Sequence, residues 1–392
     1  MKQLKDYWII WATFCGLILS LWSYPASAQK LSFKEAFEKA RTDWEVELPY
    51  EGGQFERCDD GFAFLSQDRR YLVRYDENGR KLWERKEPKG MMSIFHISKA
   101  GKRVYLVRLT GFEKAVGELL DHQGNTMWVS ETLMFRISPT GKYLINTAES
   151  IGRQPVLTLI EGSSGTILWN REGDTGPWEA KFAGEERIAY YHDVTLHLLE
   201  SLTGDVIWSR NLRPFLPKPF GGVEDRELFV SDNGSKIVVM MEGTKGKEIF
   251  ILFDERGEAS WAKEYEWVSA ASEAVFSTSA KLLLVASRHR WILVDTETGK
   301  EIWNIPEKIG GHWTITDNLL RVEDRAIFIP TFFGTAVLEL DNRFRIVKHS
   351  HFDAKLLAFP WRRDINARNI IRIESKGNRL NISKRRVKRE VR

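Results

Sequence analysis

Trp291 to Trp303 reads WILVDTETGKEIW: an apolar run ending at Asp295, a polar turn with Gly299, and a second short run ending in Trp303. That is a strand, a tight turn and a strand. The phrase returns five times, as YLVRYDENGRKLW ending at Trp83, ELLDHQGNTMW at Trp128, TLIEGSSGTILW at Trp169, LHLLESLTGDVIW at Trp208 and FILFDERGEASW at Trp261. In all six copies a glycine stands four positions before the tryptophan: Gly79, Gly124, Gly165, Gly204, Gly257 and Gly299. Successive tryptophans lie 45, 41, 39, 53 and 42 residues apart. A period of this length, built from short strands, is the signature of β-propeller blades of four strands each.

A second phrase keeps step with the first. FHISKAGKRVYLV carries Ser98, Gly101 and Lys102, FRISPTGKYLI carries Ser138, Gly141 and Lys142, and FVSDNGSKIVVM carries Ser231, Gly234 and Lys236. AVFSTSAKLLLVA, with Ser277 and Lys281, lacks the glycine. Ser98, Ser138 and Ser231 precede their tryptophans by 30, 31 and 30 residues, so this phrase marks the turn between strands one and two. The tryptophan phrase then marks the turn between strands three and four. A degenerate seventh copy, TAVLELDNRFRIVKH, places Asn342 near the glycine site and Val347 near the tryptophan site. Beyond it AKLLAFP, NIIRIES and RLNIS read as three further strands. Together with the alternating Trp44-Glu45-Val46-Glu47-Leu48 segment they make an eighth blade, in which an N-terminal strand closes the ring. Seven blades with a C-terminal extension is the alternative.

The chain has 392 residues, 43% hydrophobic and 29% charged, as in folded globular proteins, and a closed ring can use all of that length as one domain. Lys2 and Lys5 precede an uncharged apolar run from Tyr7 to Trp22, followed by Ala26-Ser27-Ala28. This reads as a secretory signal over 1–28 with cleavage before Gln29, and the protein as periplasmic or secreted. Residues 29–50 then hold a short amphipathic helix over Leu31–Arg41 and the closing strand, 51–384 the propeller, and 385–392 a basic tail. Without the signal, Cys58 is the one cysteine, so stability must come from burial and not from an intramolecular disulfide. The formal charge is +4 overall; Lys384 to Arg392 contributes +5 and the signal +1, which leaves the ring near −2. Such a tail either touches an anionic envelope surface or is a solvated end; nucleic acid is not expected as a partner.

The tandem of apolar strand, acidic residue, glycine turn and tryptophan, clearest in LVDTETGKEIW and LLESLTGDVIW, resembles the repeat of the pyrroloquinoline-quinone-like propellers. That family includes quinoprotein alcohol dehydrogenases and the propeller subunit of the outer-membrane Bam assembly machinery. The resemblance implies tryptophans docked between adjacent blades, which also suits a large ring with a single donor N–H. The dehydrogenase branch implies adjacent cysteines, calcium ligands and a catalytic aspartate, and these cannot be placed on this sequence: Cys58 stands alone. No catalytic, metal or cofactor residue is therefore assigned. His192 and His197, read along one strand, fall on opposite faces, and His349 with His351 reads as a solvated strand end. Gly52-Gly53 and Gly221-Gly222 lack the lysine and helix of a phosphate loop, and no GxSxG element is present.

Functional variation in propellers sits in connecting loops. Asn211 to Glu224 (NLRPFLPKPFGGVE) offers Phe215 and Phe220 in a proline-stiffened loop that either grips a partner or packs on the ring. Phe359 to Arg363 (FPWRR) offers Trp361, Arg362 and Arg363, residue types of an interface hot spot, or else a tryptophan closing the last blade. The expectation is an exported, monomeric, all-β propeller that scaffolds a protein partner without catalysis and without a cofactor. The alternative is an oxidoreductase that binds quinone or sugar in the central funnel.

Overall fold

A computed structural model describes residues 42–48, 53–109, 115–131, 135–148, 156–172, 179–192, 194–216, 226–242, 247–266, 273–286, 290–306, 321–323, 326–331, 334–341, 343–352, 355–358, 367–376 and 379–388. The expected signal over 1–28 and the Leu31–Arg41 helix lie outside these residues. Among the described residues no helix is long and apolar enough to cross a membrane.

After β1 (Thr42–Leu48) the chain makes seven four-stranded sheets in succession, each ordered as the chain runs. They are β2 (Gly53–Cys58), β3 (Gly61–Ser66), β4 (Tyr71–Asp76) and β5 (Lys81–Lys86); then β6 (Met92–Ile97), β7 (Val104–Leu109), β8 (Ala115–Leu120) and β9 (Thr126–Ser130). The third sheet is β10 (Phe135–Ile137), β11 (Tyr143–Ala148), β12 (Val156–Glu161) and β13 (Ile167–Glu172). The fourth is β14 (Glu179–Phe182), β15 (Arg187–His192), β16 (Thr195–Glu200) and β17 (Val206–Asn211). The fifth is β18 (Arg226–Val230), β19 (Lys236–Glu242), β20 (Lys247–Asp254) and β21 (Ala259–Glu266). The sixth is β22 (Glu273–Phe276), β23 (Leu282–Ala286), β24 (Arg290–Asp295) and β25 (Glu301–Pro306). The seventh is β26 (Arg321–Glu323), β27 (Ala326–Thr331), β28 (Gly334–Leu340) and β29 (Ile346–Phe352). An eighth sheet joins β30 (Lys355–Ala358), β31 (Ala367–Lys376) and β32 (Arg379–Lys388) to β1, in the order β1-β32-β31-β30. The first and last described strands thus share one sheet, as the Trp44 segment predicts.

First strands of successive sheets touch from β2 through β26, and β30 lies against β27 and β28, so these strands line the axis. The second to sixth sheets are each covered on both faces by their neighbours. Central strands are therefore buried along nearly their whole length, as in β3 and β24, and read as continuous apolar runs. The outer strands β5 and β13 alternate between exposed and half-buried positions. The core lies in slices between sheets: Ala189, Leu198 and Trp208 pack on Ile237, Val239 and Ile251, and Val238, Phe250 and Leu252 pack on Leu283, Val285 and Ile292.

Two expectations are corrected. The strand β32 continues to Lys388, so the boundary between ring and tail at 384/385 falls inside a strand that pairs on both sides. In the seventh turn the glycine position belongs to Phe344, held at φ 59 by donation of its N–H to Asp341 O at 3.0 Å. Val347 is then the unpaired residue of a bulge and Lys348 stands at the tryptophan register. Asn342 lies outside the described residues.

Candidate functional site

The six repeat tryptophans occupy one repeated structure. In each outer strand the residue before the tryptophan is skipped by the ladder: Arg74 pairs with Trp83 and Tyr75 with Lys81, leaving Leu82 unpaired; Leu293 pairs with Trp303 and Val294 with Glu301, leaving Ile302 unpaired. Such a bulge re-aims the side chains beside it. Each indole then reaches the strand three to four turn of the next sheet. Trp83 donates its Nε1–H to His122 O at 3.1 Å, Trp169 to Ser201 O at 2.8 Å and Trp303 to Phe344 O at 3.0 Å. Trp128, Trp208 and Trp261 donate likewise to Gly162 O, Glu255 O and Thr296 O. The glycine of the receiving turn is needed twice over. Gly257 has φ 74, and a Cβ there would stand 2.6 Å from the Trp208 ring; Gly124, Gly165, Gly204 and Gly299 receive Trp83, Trp128, Trp169 and Trp261 in the same way. Gly79, with φ 76, has the same turn geometry. The six tryptophans, with the turns that receive them, join each sheet to the next from the first to the seventh.

The strand one to two turns gather around one mouth of the axis. Asp59 N–H donates to Lys99 O at 2.6 Å, Ala100 N–H to Pro139 O at 2.8 Å, and Thr140 N–H to Glu185 Oε2 at 2.9 Å, linking the first four sheets turn to turn. Lys99 Nζ meets Asp232 Oδ2 at 2.8 Å. These residues belong to the second and fifth sheets, so this pair crosses the mouth. Below the mouth, inner-strand side chains reach the neighbouring sheet: Glu56 accepts from Ile97 N at 2.7 Å and contacts His96 Nδ1 at 2.9 Å, and Glu179 accepts from Leu228 N at 2.6 Å. Lys181 donates to Leu228 O and lies over the Phe229 ring. Charged groups near the axis are thus used to join sheets.

Beside this mouth Arg74, 1% exposed, binds Phe62 O, Tyr75 O and Asp60, and the Cys58 thiol donates to Asp60 Oδ1 at 3.1 Å. Burial pushes that thiol up to about 12 against the pull of Arg74, so it stays protonated and unreactive. At the rim, His197 stacks on Tyr190 at 4.5 Å, and its Nδ1 lies 2.7 Å from Ser209 Oγ. Burial, then Arg171 and His192, hold its imidazole down to about 4. The expectation that His192 and His197 face apart is corrected: they sit in adjacent strands, where His192 pairs with Thr195 and Tyr190 with His197, which puts both on one face. What read as one strand is two, β15 ending at His192 and β16 beginning at Thr195. Among the described residues no group of three or more His, Cys, Asp or Glu is placed to hold a metal ion.

Of the loop candidates, Phe215 closes a 3-10 turn (Arg213–Phe215) and packs edge-on to Phe253 at 6.2 Å, against the core of the fourth and fifth sheets. Within the described structure it supports the ring. Phe220, Trp361, Arg362 and Arg363 lie outside the described residues. What the sequence reading passed over is the rim itself. The third and fourth sheets end in β13 and β17, and there Ile167 (57% exposed), Leu168, Val206 and Ile207 (49%) are open to solvent. Their signal was present as the apolar pair before Trp169 and Trp208.

Successive four-stranded sheets, docked tryptophan into glycine turn, define a β-propeller of pyrroloquinoline-quinone-like repeats. A family model described as outer membrane protein assembly factor BamB matches residues 120–331, more than half of the chain, and the chain belongs to that family. No curated protein sequence matches. Among solved structures the fold is similar to BamB from Moraxella catarrhalis, at 15% identity and TM-score 0.54 over 88% of this chain and 97% of that one. It is also similar to the computationally designed Ika8 protein, at 11% identity and TM-score 0.56 over 86% and 98% of the two chains. A europium-containing methanol dehydrogenase aligns at 12% identity and TM-score 0.52 over 88% of this chain and 86% of that one. At these identities the likenesses speak to fold alone.

Proposed function

We propose that this chain is an exported, non-catalytic scaffold that holds a protein partner on the outer rim of its third and fourth sheets. Each sheet is taken as one blade, which gives eight. The observation that carries the reading is the exposed apolar set Ile167, Leu168, Val206 and Ile207 on β13 and β17, the last strands of their sheets. An outermost strand leaves one row of backbone groups unpaired within its sheet, and apolar side chains beside it suit an extended partner segment that adds as a strand. The Leu168 and Ile207 bulges limit such addition to the stretch on one side of them, which lends register. The family description, an outer-membrane assembly factor, supports an assembly role and an address beyond the inner membrane. Lys2, Lys5, the apolar run and Ala26-Ser27-Ala28 support export.

The test is cross-linked retrieval of envelope proteins with the native chain and with a Leu168→Asp/Ile207→Asp variant. Both sites are exposed, so thermal melts should agree within a few degrees. Loss of a reproducible partner in the variant is expected, and its undiminished retention refutes the rim as the docking face. A parallel titration with pyrroloquinoline quinone plus calcium addresses the enzyme alternative. Tight binding with turnover of a dye acceptor would replace the scaffold by an oxidoreductase working in the funnel.

A further inference from the structure

Arg85, Arg171 and Arg210 stand two residues after Trp83, Trp169 and Trp208, at the same register of the first, third and fourth sheets. Two of these guanidinium groups are satisfied by the sheet they face. Arg85 Nη2 reaches the carboxylate of Glu118, 2% exposed, at 3.0 Å. Arg210 donates to Gly257 O at 2.7 Å and to Arg256 O at 3.2 Å, in the turn of the fifth sheet. Arg171 has no such acceptor among the described residues: it lies over the Tyr190 ring at 5.8 Å, and its Nη1 is buried without a hydrogen bond. The register shows what is missing. Glu118 pairs with Val129, the residue after Trp128, and the same place in the fourth sheet, opposite Ser209 after Trp208, is held by His197. His197 stacks on the same Tyr190 ring, and burial first, then Arg171 and His192, hold its imidazole down to about 4. Near neutral pH it is uncharged and supplies no counter-charge. His192, Thr195 and Asn211, next along this face, are not acidic either.

We propose that the partner segment docked along β13 supplies this carboxylate, as an Asp or Glu placed across from Arg171. The inference rests on the rim reading above and names the chemistry the rim selects. Directly opposed residues of paired strands share a face, so a residue added across from Arg171 projects on the side of Tyr190 and His197. Arg171 lies beyond the Leu168 bulge, on the strand that carries the exposed Ile167 and Leu168. Apolar contact and charge recognition therefore fall on one short extended segment. A guanidinium and a carboxylate match in two parallel hydrogen bonds, and a half-buried groove leaves less water to compete for either. A lysine at that position of the segment meets Arg171 as a like charge and is rejected. The fold already contains the bonded version of this contact, Arg85 with Glu118, so the partner completes in the third and fourth sheets what the second sheet provides for the first.

The probes are fluorescent peptides of roughly nine residues, a strand's length, in which valine alternates with threonine and one glutamate is stepped along the segment. Matching sets carry glutamine or lysine at the stepped position. They are titrated by fluorescence polarisation against the full chain, an Arg171→Gln variant and a His197→Glu variant, which rebuilds the Glu118 arrangement internally. The native chain is expected to bind the glutamate peptide of one particular step about tenfold tighter than its glutamine counterpart, with lysine weakest and the preference reduced at about 1 M salt. Both variants should lose the preference and keep the affinity for the glutamine peptide, with circular dichroism matching the native chain. If Arg171→Gln does not fold, His197→Glu provides the same comparison. Equal binding of the three sets by the native chain, or a glutamate preference that survives in a folded variant, overturns the proposal and leaves the rim standing. Binding of no peptide, or binding indifferent to Leu168→Asp/Ile207→Asp, removes the rim reading and this proposal with it.

Discussion

Gly257 and Ala280 hold the same region of backbone space with opposite consequences. Gly257 lies at φ 74 with the Trp208 ring where a Cβ would go, so Gly257→Ala combines left-handed strain with overpacking. The expected loss is about 2–4 kcal/mol. Ala280, at φ 56, fills the place that Gly101, Gly141 and Gly234 hold in the sibling turns. Ala280→Gly removes that strain at some cost in unfolded-state entropy, for a gain of a few tenths to about 1 kcal/mol. Thermal melts of the two variants should move in opposite directions, and a shared direction contradicts the turn assignment. His197 supplies the residue-scale pH dependence. Its imidazole is held to about 4 in the fold, below the 6.5 of an ordinary histidine, by burial first and then by Arg171 and His192, with Tyr190 and Ser209 also in contact. As pH falls from about 6.5 to about 4 the unfolded chain takes up a proton that the folded chain refuses, so stability is lost across that window. The ceiling is about 3 kcal/mol, reduced by solvent screening at this half-buried site. Urea midpoints of native and His197→Gln chains should converge toward pH 4, and parallel profiles would contradict the assignment.

At the scale of strands and turns, β1 repeats the outer-strand register. Lys384 pairs with Trp44 and Arg385 with Thr42, so Asp43 is skipped as Leu82 is skipped before Trp83. Trp44 therefore stands at the tryptophan register of the eighth sheet. Trp44→Ala is expected to cost about 1–3 kcal/mol and to match Trp83→Ala, the half-buried tryptophan at the same register of the first sheet, in denaturant titration. A loss under about 1 kcal/mol would show that the closing junction is built otherwise. The strands and their order were legible in the sequence because bulge, turn and dock each demand a residue type at fixed spacing: Gly299 four before Trp303, Ser98 three before Gly101. Where a demand is met by an unusual residue the reading slips, as at Phe344, whose left-handed φ is sustained by packing. The His192–His197 hairpin escaped because its turn carries no glycine or proline. The end of β32, Arg385 to Lys388, read as a tail because its run of charges hides its pairing with β31 and, at Arg385, with β1. The rim site was hidden for another reason: Leu168 and Ile207 look like core residues until the bulge turns them outward.

For the whole molecule the question is what keeps a ring closed. Two devices join distant parts of the chain: the eighth sheet, where β1 pairs with β32, and the Lys99–Asp232 pair across the mouth. They differ in kind. The sheet joins ends through backbone hydrogen bonds along six registered residue pairs. The ion pair has both side chains 44% exposed, where hydration and counter-ions take up most of the Coulomb attraction. Such pairs contribute about 0–1 kcal/mol. Closure should therefore rest on the sheet, with the ion pair only narrowing the mouth. Asp232→Asn is expected to leave a single cooperative calorimetric transition, shifted by no more than a few degrees, and about 1 M salt should erase the difference from the native chain. Removing residues 42–48 should instead expose one side of β32 and broaden or split the transition. An Asp232→Asn loss of several kcal/mol that persists in salt would reverse the order, making the axial pair, and not the shared sheet, the element on which the ring depends.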